Sequence, residues 1–169
     1  MNLLLIRHAE ALPVGSPGIT SDEQRVLSPA GKSKTHQAAI ALNKLGVRIQ
    51  IMLASPYLRA MQTAEIFCEN LDHSPQLRAC DALGADFDVK VVVDAIRQVA
   101  DLGSLALCGH EPDLSRLATY LMGGRGQPSL IFHTGAMAHM QLDLGTKPPT
   151  ASLHWFLNSQ QLERIAQSP

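Results

Sequence analysis

Three apolar runs in this chain end on residues that can hold an anion or attack one. In "LLLIRHAEA", the aliphatic residues 3–6 lead straight into Arg7 and His8. "RIQIMLA" leads into "SPYLR", which carries Arg59, and "SLALCG" leads into "HEP", which opens on His110. Two guanidiniums supply planar forks that match the oxygens of a phosphoryl group. A neutral imidazole nitrogen can attack phosphorus, splitting one hard hydrolysis into two easier steps. A second imidazole can donate to the equatorial oxygens, where charge spreads in a loose transition state. The chemistry implied is phosphoryl transfer beside Arg7 and Arg59, with one of His8 and His110 attacking and the other donating.

That chemistry requires the three run ends to meet. The short, two-sided apolar run at 2–7 reads as a central parallel strand, followed by a polar loop at 9–27 with Pro13, Gly15, Pro17 and Gly18. "SPAGKSKTHQAAIALNKLG" reads as a helix capped by Ser28, with Pro29 at its first position and Gly46 as its stop. Residues 48–54 read as a second strand, and "SPYLRAMQTAEIFCENL" as a helix opened in the same way by Ser55 and Pro56. A short strand at 76–80, a helix over 86–100, a strand at 104–109 and a helix in "EPDLSRLATYLMGG" follow. Strand-like pieces near 129–132, 136–142 and 152–157 precede a polar tail. The alternation predicts one domain over residues 1–169. Its fold class is α/β, a three-layer α/β/α sandwich with a mainly parallel central sheet and an antiparallel element near the C-terminus. In open parallel sheets ligands bind outside the carboxyl ends of the strands. Arg7, His8, Arg59 and His110 all stand at such ends, two of them beside helix N-termini that favour anions.

At these residues the chain resembles the histidine phosphatase superfamily. "RHAEA" looks like its RHG motif, "SPYLRAMQTA" like its second-arginine motif, and "GHEPDLS" like its second-histidine motif, in matching order. The short length and "GHEP" most resemble SixA-type phosphohistidine phosphatases. The resemblance implies a phosphoglycerate mutase-like fold, His8 as nucleophile, and Arg7, Arg59 and His110 as the phosphate pocket. Ala9 stands where the motif usually has glycine, which puts a methyl on backbone that approaches the phosphate. In ester-cleaving members an acid from the region after the third strand protonates the leaving oxygen, a place held here by Asp81.

A plain surface cation at Arg59 would pair with Glu65 or Asp72. Its place in a first helical turn, where the dipole opposes a cation, is better explained by an anionic ligand. Arg25, in the long loop, is a candidate for substrate contact. Glu111 reads as a helix cap and Thr63 as structural. His133 follows an apolar triplet with nothing else to mark it, and His36, His73, His139 and His154 are scattered. A metal-dependent phosphohydrolase would use His8, His110, Glu10 and Asp113, but their spacing matches no zinc or two-metal pattern, and two arginines would oppose a cation. A non-catalytic phospho-binding module would not need His8. A mutase would need further segments to enclose its substrate.

Totals narrow the rest. The 169 residues are 46% hydrophobic with net charge −1, which allows a real core and gives no global basic field for nucleic acid. Aromatic residues are 4%, too few for a base-stacking surface. No apolar run approaches the roughly 20 residues of a membrane span, and the start lacks a signal-peptide pattern. Cys68, Cys80 and Cys108 lack metal or redox spacing and read as reduced thiols of a cytoplasmic protein. The expected enzyme is a metal-independent phosphatase without cofactor. Its expected partner is a phosphorylated protein, such as a histidine phosphotransfer domain, with a small phosphate ester as the alternative substrate.

Overall fold

The computed structural model describes residues 1–124, 127–128 and 130–169. The elements run β1 (Asn2–Arg7), α1 (Pro29–Lys44), β2 (Ile51–Ala54), α2 (Leu58–Asn70), β3 (Gln76–Ala79), α3 (Val89–Arg97), β4 (Ser104–Gly109), α4 (Asp113–Leu121), β5 (Met137–Asp143), β6 (Thr150–Leu157) and α5 (Ser159–Gln167). One sheet has the order β3-β2-β4-β1-β5-β6. β1 to β4 are parallel neighbours, while β5 pairs antiparallel with both β1 and β6. This is the mixed α/β sandwich that the alternation implies.

Strands β1, β2 and β4 are buried on both faces, which is why they read as unbroken apolar runs. Leu3, Leu5, Ile51, Leu53, Leu105 and Leu107 point to one side and pack with Val92, Val93 and Ile96 of α3 and with Leu114, Leu117 and Leu121 of α4. Leu4, Ile6, Met52, Ala54, Ala106 and Cys108 point to the other and pack on α1, α2 and Leu162 of α5. The small faces of α1 (Ala38, Ala39, Ala41) and α2 (Ala60, Ala64) let these helices lie close to the sheet. None of the described helices is long and apolar enough to cross a membrane.

Three local expectations need correction. α1 starts as read, with Ser28 Oγ accepting from Gly31 N–H and Pro29 in the first turn. α2 does not start at Ser55 and Pro56; it starts at Leu58, after Tyr57, without a side-chain cap. Ser55 is instead drawn into a hydrogen bond with His110. The polar tail is not loose, because 159–167 form α5. Asn158 and Gln161 make a reciprocal capping box, and Leu162, Ile165 and Ala166 turn inward. That box is a local signal the sequence carries. Of the strand-like piece near 129–132, residues 130–132 are not strand, and Ser129 lies outside the described residues.

Candidate active site

Sheet order brings the three run ends together. β4 lies between β2 and β1, so the exits of the second, fourth and first strands are neighbours. Backbone bonds carry the pairing past the strand ends: His8 N–H donates to Gly109 O at 3.1 Å, and Ser55 N–H to Cys108 O at 2.9 Å. The His8 and His110 rings end up 5.1 Å apart, centroid to centroid. Arg7, His8, Arg25, Arg59 and His110 line one cleft, together with Glu10, Ala11, Asp22, Glu111 and Thr134.

The protonation of His8 follows from its partners. Its Nδ1 lies 2.7 Å from Ala9 O, an acceptor, so Nδ1 carries the hydrogen. Its Nε2 accepts from Arg59 Nε at 3.0 Å, so a lone pair sits there. Burial pushes the ring pKa down to about 3, against a modest rise from the Ala9 hydrogen bond, and the neighbouring cations lower it further. His8 is a neutral imidazole that lines the cleft, its unprotonated Nε2 held by Arg59.

His110 is held from behind. Its Nε2 is 2.8 Å from Ser55 Oγ, which itself accepts from Tyr57 N–H. Either tautomer makes this bond, because the hydroxyl can donate to Nε2 or accept from it. The buried Nδ1 of His110 has no partner among the described residues, nor has Arg7 Nε. Such buried polar atoms are costly to leave unpartnered unless a ligand satisfies them. Burial, and next the charge of Arg59, lowers the His110 pKa to about 4.

The loops complete the frame. Arg7 Nη1 donates to Phe132 O at 2.6 Å, and Glu111 Oε1 accepts from Phe132 N–H at 2.7 Å and from Ser115 Oγ. Glu111 is therefore more than a cap, since it fixes the backbone that anchors Arg7. Thr63 Oγ1 accepts from Ala9 N–H and donates to Arg59 O, tying the two motif segments. The Ala9 methyl packs with Leu27 and Ile66, under the 9–27 loop. Gly31 makes the closest approach: a Cβ there would stand 2.1 Å from Glu10 O. The turn after β1 thus rests directly on the first turn of α1, and only glycine fits.

Two sequence candidates have different fates. Arg25 reaches the cleft, donating to Leu12 O at 2.8 Å and to Asp22 Oδ1 at 3.1 Å. Asp81 does not line the cleft; it is exposed at the start of a 3-10 turn after β3. The residue missed was Asp22, whose carboxylate pairs with Arg59 at 2.8 Å in place of Glu65 or Asp72. Its signal was absent from local sequence, since 37 positions separate the pair. Asp113 is bonded to Asp86 N–H and paired with Arg116. Among the described residues no group of three His, Cys, Asp or Glu side chains is placed to hold a metal ion.

Residues 3–83 match the family model described as histidine phosphatase superfamily (branch 1). The phosphohistidine phosphatase SixA of Escherichia coli strain K12 is 30% identical over 149 residues, 85% of this chain and 86% of that protein. A solved structure of the protein histidine phosphatase SixA complexed with tungstate superposes with a TM-score of 0.83 at 26% identity, covering 96% of this chain and 99% of that one. The alpha-ribazole phosphatase of Shigella flexneri shares the fold, with a TM-score of 0.70 at 16% identity over 94% and 97% of the two chains.

Proposed function

This chain belongs to the histidine phosphatase superfamily, and from that footing we propose that it removes phosphoryl groups through a covalent intermediate on His8, with protein-borne phosphohistidine as substrate. One arrangement carries the reading. The lone pair of His8 Nε2, held by Arg59 Nε and given up when phosphorus is attacked, lies in a cleft with the unpartnered Arg7 Nε and His110 Nδ1.

In the first step His8 Nε2 forms the new N–P bond while the P–N bond of the substrate breaks. The electron pair leaves on the substrate imidazole, which is a good leaving group once protonated by solvent. Arg7, Arg59 and His110 bind the three equatorial oxygens and stabilise the charge they gain. In the second step water attacks phosphorus, its proton passes to solvent, and His8 recovers its electron pair as phosphate departs. Two guanidiniums meet the phosphoryl charge, so activity should persist in excess chelator.

The leaving group decides between protein and small-molecule substrates. An alkyl ester needs a positioned acid, worth about 10²–10⁴-fold. The acids in the cleft are already committed: Glu10 to Ser28, Asp22 to two arginines, Glu111 to Phe132 and Ser115. A phosphoramidate can do without such an acid. The Escherichia coli relative, a phosphohistidine phosphatase, supports the same reading. A histidine phosphotransfer domain is the partner chemistry this favours.

The test is rapid quenching with labelled phosphohistidine protein, in parallel with an alkyl phosphate. An acid-labile, base-stable phosphoryl-protein should form, and His8→Asn should form none. Label and turnover in His8→Asn equal to those of the parent would overturn the mechanism. A higher kcat/KM for the alkyl ester would make the chain a small-molecule phosphomonoesterase.

A further inference from the structure

Asp22 takes no part in the steps above, yet it occupies their anion site. Arg59 Nε is committed to His8, which leaves Nη1 and Nη2 as the fork for a phosphoryl group. Both already bond Asp22: Nη1 donates to its backbone oxygen at 2.6 Å and Nη2 to its carboxylate at 2.8 Å. The other carboxylate oxygen accepts from Arg25 Nη1 at 3.1 Å. The carboxylate therefore bridges two guanidiniums, as an oxyanion ligand would.

The two ends of this contact differ in freedom. The Arg59 side chain is 6% exposed and that of Asp22 is 52% exposed. Arg59 is held by His8 and by the start of α2, with its guanidinium 5.1 Å from the Tyr57 ring. Asp22 sits at the mouth, on a loop attached to α2 by the bond from Leu58 N–H to Glu23 O. Its carboxylate can swing into water, and Arg59 cannot follow. Partial burial alone would raise the Asp22 carboxyl, but hydrogen bonds from Arg25 and Arg59 outweigh it and hold the group below its ordinary range. It is the charged form that fills the site.

We infer that the Asp22 carboxylate is an internal competitor for the phosphate pocket, covering Nη2 of Arg59 until an oxyanion displaces it, while Nη1 stays on the Asp22 backbone oxygen. This rests on the assignment of Arg59 to that pocket. The apparent affinity for a bare oxyanion is reduced by the fraction of molecules in which the fork is open. Product phosphate is then released readily, and ambient phosphate does not saturate the site. A protein substrate, with contacts beyond its phosphoryl group, overcomes the competition. A residue that merely aligned Arg59 would have the opposite effect, because its loss would weaken anion binding.

The experiment is calorimetric titration of inorganic phosphate and of tungstate into the parent chain, D22A, D22N and R59A, with KM and kcat for an aryl phosphate alongside. In D22A, which keeps the backbone oxygen on Nη1, both dissociation constants and KM should fall about 5- to 10-fold, the effect expected if the carboxylate is off Nη2 in only about a tenth to a fifth of parent molecules. In D22N they should fall less, since the amide oxygen still accepts from Arg59. Unchanged or raised dissociation constants in D22A, with R59A weakening tungstate, would overturn the competitor role alone. Tungstate binding undiminished in R59A would overturn the pocket assignment as well.

Discussion

Arg59 Nε lies 3.0 Å from His8 Nε2 and donates to it. In the proposed mechanism one guanidinium orients the imidazole that attacks with one edge and faces the anion with another. Lysine cannot do both, because a point charge has no second edge. Arg59→Lys should lower kcat/KM by about 1.5–3 kcal/mol, the range for hydrogen bonds to charged groups, or roughly 10- to 150-fold. An unchanged kcat/KM would remove Arg59 from the site.

The depressed histidines make stability depend on pH. His8 and His110 titrate near 3 and 4 when folded, against about 6.5 in an unfolded chain. Between those limits the unfolded chain binds more protons, so stability falls as pH falls through that window. Each imidazole should remove about 2 kcal/mol between pH 7 and 5. Urea unfolding at both pH values should show that His8→Asn loses correspondingly less than the parent. Identical losses would mean that His8 is not held neutral by burial.

Gly31→Ala tests the support beneath the loop. Its methyl would stand 2.1 Å from Glu10 O, backbone that cannot move without shifting the Ala9–Glu10 turn. Overpacking of this kind costs about 1–3 kcal/mol. Thermal unfolding should register that loss. KM should rise as the turn after His8 moves. A variant as stable as the parent would show that α1 and the loop separate freely.

Asp81→Asn should change phosphohistidine turnover by less than about twofold, within the small effects of surface substitutions. The residue is exposed and does not line the cleft. A collapse of activity would mark Asp81 as the acid of an ester hydrolase.

The elements nearest the chemistry are those most legible in sequence. β1, β2 and β4 announce themselves because burial on both faces demands continuous apolar residues, and α1 because Ser28 and Pro29 are local capping devices. Arg7, His8, Arg59 and His110 could be grouped because each follows such an element. α5 went unread because its nine residues bury Leu162 only by docking on α1, although its capping box was visible.

By itself, the sequence determined which residue types end each strand and therefore which atoms can meet. Local rules suffice there, since strand period and helix caps act over a few residues. Only the tertiary structure decided the state of those atoms. The tautomer of His8 depends on Ala9 O and Arg59 Nε, the hold on the His110 ring on Ser55 Oγ, and the occupancy of Arg59 on Asp22. Apart from Ala9, these partners lie 37 to 55 positions away in the chain. Hydrogen bonds and desolvation act over a few ångströms of space, and no periodicity along a chain encodes which distant carboxylate or hydroxyl will be within that reach.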